Sequence, residues 1–272
     1  MSKVILVLCD ALRDDAAKQY MGYLEHLVET RQATRYTCVG ELPSMSRPMY
    51  ETVHTGVVSS EHGVTHNNVV RRSVVPNIFE LARAAGQVTA AAAYSWFSEL
   101  YNHAPYDIVM DREVDDPALA IQHGRFYQEY PYPDIEVFAA AGSLVAKFQP
   151  DYLLIHPMSC DTFGEEYGGL SAEYRRNVVV QDQALAALIP AVKLLGYHVL
   201  VTGDHGMDDQ PGAHHGGTLP SHRLVPFYHV PPQGNGRGNT GERVTHLQIA
   251  PTVCHLLGIE AAATMRAPRI GL

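Results

Sequence analysis

Residues 199–207 read Val-Leu-Val-Thr-Gly-Asp-His-Gly-Met, an apolar, β-branched run that stops at a glycine and is followed by a carboxylate and an imidazole. Such a run is typical of a buried strand in a parallel sheet. Ligands of open α/β sheets bind beyond the carboxyl ends of the strands, so Asp204 and His205 are expected at that edge. Because both residue types bind metals, the stretch predicts a metal site on an α/β fold.

Two further predicted strands end in the same way. Lys3–Cys9 leads directly into Asp10, and the strand that follows Asp151 continues through Pro157 to Asp161. A single Asp after a strand is more often a helix cap or a turn residue. Three such endings in one chain, one of them Asp-His-Gly, favour a single composite metal site.

Composition limits the class of protein. The chain has 272 residues, of which 46% are hydrophobic and 18% charged, and its net charge is −9. These values indicate a globular protein and argue against a nucleic acid polymer as partner. A phosphate substrate stays possible because metal ions can supply positive charge locally. We predict one domain over residues 1–272, without a large cap domain.

The cysteines and the apolar segments bear on the compartment. The four cysteines lie far apart, so neither a disulfide framework nor a zinc ribbon is expected. The apolar run after Lys3 is too short for a signal peptide, and no segment approaches the roughly 20 apolar residues that span a bilayer. The sequence therefore predicts a cytoplasmic protein without membrane contact.

Strand and helix patterns alternate along the chain. This alternation predicts a three-layer α/β/α sandwich with a central, mainly parallel sheet. The predicted strands cover residues 3–9, 87–94, 152–156, 198–202 and 225–230, and the predicted helices cover residues 20–30, 46–54, 77–86, 134–148, 171–195 and 245–257. Residues 231–239 are expected to form a polar loop. The aromatic-rich region 94–133 is expected either to line a substrate pocket or to pack beneath a long connection.

Ser46 is the candidate nucleophile, with Ser44 as its local rival. A serine in the first turn of a helix lies in the positive field of unpaired backbone N–H groups, although such a serine can also be a simple cap. A free serine needs a base or a metal to become nucleophilic. The chain has no Gly-x-Ser-x-Gly elbow, so metal activation is the better explanation.

The candidate ligands divide between two ions. Asp10, Asp204, His205 and Ser46 would hold one ion, and Asp161 and His215 the other. Two ions roughly 3.5–4 Å apart stabilise the entering and leaving oxygens of phosphoryl transfer. His215 is preferred to His214 because neighbours in an extended segment point in opposite directions and Gly216 follows.

The ordered set of motifs resembles the alkaline phosphatase superfamily, nearest its nucleotide pyrophosphatase/phosphodiesterase (type I phosphodiesterase) branch. The matching segments, in chain order, are residues 7–10, 42–48 with Thr55-Gly56, 61–64 with Asn67-Asn68, 161–164, 204–207, 215–216 and the helix 248–253 ending in 257–259. They extend from about Val4 to Ile259, which is nearly the whole chain.

The resemblance implies a covalent phosphoryl acceptor at Ser46, two divalent ions, and hydrolysis by a second in-line step. It gives metal roles to Asp10, Asp161, Asp204, His205 and His215. Glu165 stands where that branch has a histidine ligand, and a carboxylate there favours Mn or Mg more than an imidazole would. The two ions are therefore expected to be Zn, or Mn or Mg because of Glu165. Met49 stands where the branch has a phosphate-binding Asn, so we expect Arg47 and Asn67 to bind substrate. Sulfatases need a modified Cys and an Arg where this chain has Ser46 and Tyr50.

The sequence thus predicts a metal-dependent phosphohydrolase of the phosphodiesterase/nucleotide pyrophosphatase type that acts on a small-molecule phosphate ester. Two alternatives stay open: a phosphomonoesterase or mutase of the same superfamily, and a non-catalytic metal-binding member.

Overall fold

The computed structural model describes residues 2–212 and 214–272. Its strands in this part of the chain are β1 (Lys3–Cys9), β2 (Thr34–Val39), β3 (Thr89–Tyr94), β4 (Glu113–Asp115), β5 (His123–Tyr127), β6 (Tyr152–Ile155), β7 (Tyr197–Gly203), β8 (Leu224–Val230) and β9 (Gly238–Thr245). Its helices are α1 (Asp14–Tyr20), α2 (Gly22–Glu29), α3 (Ser46–Thr55), α4 (Ser59–His62), α5 (Ile78–Ala84), α6 (Trp96–Tyr101), α7 (Asp134–Phe148), α8 (Ser159–Tyr167), α9 (Ala172–Leu194), α10 (Pro220–Arg223) and α11 (Ile249–Leu257), with a 3₁₀ turn at His246–Gln248.

The described strands form one sheet in the order β4-β5-β3-β6-β1-β7-β8-β2-β9. β5, β3, β6, β1 and β7 are parallel, as are β2 and β9. β8 is antiparallel to both β7 and β2, and β4 is antiparallel to β5. The central, mainly parallel sheet is therefore confirmed.

Strand β1 lies in the middle of the sheet and contributes to both faces. Ile5 and Val7 belong to a core packed against α1, α2, α7 and α9, whereas Val4 and Leu6 belong to a second core beneath α3, α5, α6 and α11. Successive side chains of a strand point to opposite faces, so one apolar run supplies both cores. Helices on both faces give the expected three-layer sandwich.

The element bounds predicted from the sequence differ from the structure mainly at strands whose residues are polar. The predicted loop over residues 231–239 is wrong at its end, because β9 begins at Gly238. Most residues of β9 are exposed or half-buried at the edge of the sheet, so the strand lacks an apolar run. The predicted helix over residues 20–30 is in fact the end of α1 followed by α2.

The fold gathers the candidate residues at one end of the sheet. β1, β6 and β7 are adjacent and parallel, and their carboxyl ends meet there. The N-terminus of α3 carries Ser46. Among the described residues, no helix combines the length and the apolar character needed to cross a bilayer.

Candidate metal and nucleophile site

Sheet register places the first two carboxylates side by side. Cys9 of β1 pairs with Gly203 of β7, so the next residues along the two strands are Asp10 and Asp204. Ala11 then takes a left-handed φ of 59°. Its N–H donates to Asp204 Oδ1 at 3.0 Å, which ties the turn after β1 to the end of β7.

Asp10, Asp204 and His205 form the first cluster, and all three are fully buried. His205 Nε2 lies 3.2 Å from Asp10 Oδ1 and 3.3 Å from Asp204 Oδ2. One ligand atom from each residue falls within 4.8 Å of the others. The sequence grouped the same three residues around one ion.

The second cluster contains Asp161, His215 and, again, His205. Asp161 and Glu165 are one turn apart on α8, so both side chains lie on the same face of that helix. His215 Nε2 is 3.5 Å from Asp161 Oδ1 and 3.7 Å from Glu165 Oε1. The side chain of His214 is 71% exposed, and its Nδ1 is 3.3 Å from Glu165 Oε1.

The three aspartates share a hydrogen-bonding pattern that fits metal ligands. In each, one oxygen accepts hydrogen bonds: Asp10 Oδ2 from Tyr50, Asp204 Oδ1 from two backbone N–H groups, and Asp161 Oδ2 from Tyr130. The other oxygen of each is buried without a hydrogen-bond partner in the described part of the chain. Buried carboxylate oxygens are costly when unpaired, so three that converge indicate room for cations.

The pKa values show that it is unfavourable to bury these negative charges close together. Burial, followed by the charge of Asp10, raises the pKa of Asp204 from 3.8 to about 7. Burial and the same neighbour raise the pKa of Asp161. Although burial opposes the shift, Asp204 and Asp10 raise the pKa of His205 to about 10. Positive charge is therefore favoured at this point, and divalent ions would supply it.

Ser46 is the first residue of α3, and its Oγ is 3.1 Å from His205 Nε2. The hydroxyl therefore meets the first cluster where the resemblance puts a nucleophile. Ser44, the rival, donates instead to the carbonyls of Glu41 and Gly217. Its side chain is tied to the loop that carries His215.

The loop before α3 and the loop after β7 are joined by backbone contacts. Ser44 and Gly216 form an isolated antiparallel bridge. The Nδ1 of His215 donates to the Ser44 carbonyl at 2.9 Å, which leaves Nε2 directed towards Asp161. A carbonyl of this kind fixes the tautomer of a metal-binding histidine.

A cavity of about 300 Å³ opens in front of Ser46. Its lining consists of Ser46, Asn67, Tyr94, Trp96, Tyr130, Met158, Asp161, Glu165 and His215. Both readings of the aromatic region hold in part: three of its aromatic residues line the cavity, whereas Phe97, Tyr101, Phe126 and Tyr127 are buried in the core.

Arg47 does not reach this cavity. Its guanidinium is buried, pairs with Glu99 at 2.7 Å and lies 4.3 Å above the ring of Trp96. This placement does not support the expectation that Arg47 binds substrate, because its charge is already neutralised. Asn67 does line the cavity. Its Oδ1 accepts the Arg47 backbone N–H at 3.0 Å, so the amide nitrogen points away from that N–H group.

The sequence did not single out Tyr50 or His156, both of which touch Asp10. It also did not identify Asp134, whose Oδ1 accepts the N–H groups of Met158 and Ser159 at 3.1 Å and so fixes the turn into α8. The spacing of four residues from Ser46 to Tyr50 was the available signal, because it puts both on one face of a helix.

Comparison with known proteins gives a family for the chain. Residues 4–224 match the model of the family described as type I phosphodiesterase / nucleotide pyrophosphatase. The 2,3-bisphosphoglycerate-independent phosphoglycerate mutase of Haloquadratum walsbyi is 31% identical over 192 residues, which are 66% of this chain and 38% of the mutase. The human GPI ethanolamine phosphate transferase 2 catalytic subunit is 23% identical over 226 residues, 78% of this chain and 22% of that protein. The chain thus spans well under half the length of these curated relatives.

Solved structures share the fold. Murine ectonucleotide pyrophosphatase/phosphodiesterase 5, as an inactive variant in complex with AMP, has a TM-score of 0.74 at 13% identity, covering 100% of this chain and 98% of that one. A 2-O GAG sulfatase has a TM-score of 0.69 at 12% identity, covering 99% and 73%. The alkaline-phosphatase-like fold is therefore confirmed.

Proposed function

The chain belongs to the type I phosphodiesterase/nucleotide pyrophosphatase family of the alkaline phosphatase superfamily, and we propose that it hydrolyses small-molecule phosphodiesters with Ser46 as nucleophile and two divalent ions. The observation that carries this proposal is the approach of Ser46 Oγ to His205 Nε2 at 3.1 Å, at the edge of a cluster of unpaired buried carboxylate oxygens.

Each residue of the site has a separate role in the proposed reaction. Ser46 Oγ attacks phosphorus while the bond to the leaving alcohol breaks; the serine proton passes through solvent to the departing oxygen. Water then hydrolyses the bond between Ser46 Oγ and phosphorus in a second step, which releases the phosphate monoester and restores the hydroxyl. Asn67 orients the phosphate with its amide nitrogen, and the aromatic wall of Tyr94, Trp96 and Tyr130 holds the organic group.

Asp10, Asp204 and His205 would hold one ion with Ser46, and Asp161, Glu165 and His215 the other. Such ions neutralise charge on the entering and leaving oxygens. Four carboxylates, from three aspartates and Glu165, outnumber the two histidines and form an oxygen-rich donor set, so we propose Mn²⁺ or Mg²⁺ rather than Zn²⁺.

Hydrolysis of bis-p-nitrophenyl phosphate and of p-nitrophenyl phosphate, each with Mn²⁺, Mg²⁺ or Zn²⁺ added, tests the proposal. We expect preference for the diester with Mn²⁺, abolition of activity by a chelator, and a loss of at least about 10³-fold in Ser46→Ala, because the nucleophile is removed. Ser44→Ala is the matched control and should keep most of the activity.

A second candidate function is phosphomonoester hydrolysis or phosphoryl transfer of the mutase type, which the 31% identity to the Haloquadratum walsbyi mutase favours. Turnover of the monoester alone would support this second candidate. Binding of Mn²⁺ with turnover of neither substrate would favour a non-catalytic member. Full diester activity in Ser46→Ala would contradict the role of Ser46. The AMP bound to the murine protein supports nucleotide esters as the next substrates to assay.

A further inference from the structure

The two oxygens of Asp10 have different surroundings. Oδ2 accepts a short hydrogen bond from the Tyr50 hydroxyl and lies 3.3 Å from His156 Nε2. Oδ1 faces His205 Nε2 at 3.2 Å, without a hydrogen bond from any residue that the structure describes. One side of the carboxylate is thus held by the protein, and the other is presented to the cluster.

Tyr50 is rigidly placed. It lies one turn after Ser46 on α3, is completely buried, and stacks on Phe97 with the ring centroids 4.3 Å apart. Its ring also meets the edge of His156 at 4.8 Å.

His156 is fixed from the opposite side. It follows β6, and its backbone N–H donates to the Ala92 carbonyl at 2.9 Å. The Tyr127 hydroxyl donates to the His156 carbonyl at 2.7 Å and lies 3.3 Å from Nδ1. With Nδ1 against Tyr127, Nε2 is the ring nitrogen that faces Asp10.

We propose that Tyr50 and His156 are positioning residues that hold Asp10 with Oδ1 directed at the metal cluster. This inference rests on the proposed function, since it gives Asp10 a metal to bind. Tyr50 donates to Oδ2 from α3, and His156 Nε2 lies 3.3 Å from the same oxygen at the end of β6. The helix that carries the nucleophile therefore also orients a ligand. Residues that orient metal ligands typically change metal affinity by about 10–100-fold when they are removed.

The test is a titration of the chelator-treated protein with Mn²⁺, in which electron paramagnetic resonance measures the concentration of free Mn²⁺. We expect Tyr50→Phe to bind one of two ions about 10-fold more weakly and the other as wild type does. Tyr101→Phe is the matched control, because it also removes a buried hydroxyl. That hydroxyl donates to Glu51 Oε2 at 3.0 Å and lies 3.3 Å from the Tyr50 backbone carbonyl, but it does not touch Asp10. That control should bind both ions normally.

Further variants separate positioning from general damage to the fold. In an Asp10→Asn background, Tyr50→Phe should cause no additional loss of affinity. His156→Gln, which can keep an amide donor towards Asp10, should retain more affinity than His156→Leu. Melting temperatures in chelator should be alike for Tyr50→Phe and Tyr101→Phe.

The outcomes are distinct. Wild-type affinity in Tyr50→Phe, or an equal loss in Tyr101→Phe, would overturn the positioning role and leave the proposed function intact. An equal loss in the Asp10→Asn background would also overturn it. Failure of the wild-type protein to bind Mn²⁺, Mg²⁺ or Zn²⁺ would overturn both proposals together.

Discussion

The imidazole of His215 stacks on the imidazole of His205, with the ring centroids 3.7 Å apart and the planes 18° from parallel. Two protonated rings at this distance would repel each other. Burial, and then the charge of His205, lowers the pKa of His215 to about 3, whereas the neighbouring aspartates raise that of His205 to about 10. His215 is thus neutral at physiological pH, the form in which a histidine binds metal.

We predict that His215→Ala loses one of two bound Mn²⁺ ions and at least about 100-fold in diesterase activity, because a ligand to one of the two ions is missing. His214→Ala should stay within about threefold of wild type, since its side chain is 71% exposed and contacts only the rim of the cluster at Glu165. Metal analysis of dialysed protein measures the stoichiometry. Equal losses in the two variants would contradict the assignment of His215.

Asp204→Asn is predicted to have opposite effects with and without metal. The folded pKa of Asp204, about 7, lies above its ordinary 3.8, so the stability contributed by its protonated form is lost as the pH rises through 7. At pH 8 in chelator, the neutral variant should be more stable by about 4 kcal/mol. Asn can still accept the two N–H groups that bind Oδ1.

With Mn²⁺ added, the order should reverse, because the variant loses a charged ligand while the wild type gains stability from the bound ion. Melting temperatures in EDTA and in Mn²⁺ give both comparisons. A variant that is less stable than wild type in both buffers would count against charge repulsion in the metal-free cluster.

Glu51 is predicted to make stability depend on pH away from the metal cluster. Burial raises its pKa from 4.5 to about 7, against hydrogen bonds from Ser73 and Tyr101. Since the folded pKa is the higher one, stability is greatest below pH 4.5 and falls as the pH rises to 7. Glu51→Gln should remove about 2–3 kcal/mol of that fall between pH 5 and pH 8.

Denaturant unfolding in EDTA at the two pH values measures this difference for Glu51→Gln. The control is Glu260→Gln, whose side chain is exposed and is not among the charges that shift Glu51, and which should follow the wild-type curve. Parallel curves for wild type and Glu51→Gln would show that the pKa of Glu51 is the same in the folded and unfolded states, which would contradict the prediction.

Gly206→Ala should damage the site through the backbone. A Cβ at this position would lie 1.9 Å from the Ser221 carbonyl oxygen, so the Asp-His turn or the chain at Ser221 would have to move. We expect a loss of about 3 kcal/mol or more in the free energy of unfolding, together with loss of metal binding. Gly142→Ala in α7 meets nothing within 4 Å and should instead stabilise by about 0.5–1 kcal/mol. Urea unfolding of both variants decides between steric and general effects of the added methyl group.

Much of the fold follows from local pattern. The apolar runs at β1, β6 and β7 and the amphipathic helix α7 have strong signals, and the predicted bounds 3–9 and 134–148 coincide with the structure. β9 and β4 do not, because edge strands with exposed side chains carry no hydrophobic period. The extent of a single domain and a cytoplasmic location stay predictions.

The residues of the candidate site that directly follow apolar strands were predictable from the sequence. Asp10, Asp204 and His205 follow apolar strands directly, so parallel neighbours bring them together. The orientation of the side chains was not predictable. No local sequence pattern indicates that Arg47 pairs with Glu99 or that Tyr50 donates to Asp10. Such choices depend on partners distant in the chain, which only tertiary packing brings near.

The bridge between Ser44 and Gly216 has a consequence for engineering. Because the same two segments are also joined by the His215–Ser44 and Ser44–Gly217 hydrogen bonds, residues 41–46 and 214–217 behave as one exchangeable part rather than two loops. Swapping either segment alone from a homologue would shift the attacking hydroxyl relative to the imidazole opposite it. Chimeras that carry both segments together should keep that spacing and so transfer selectivity intact.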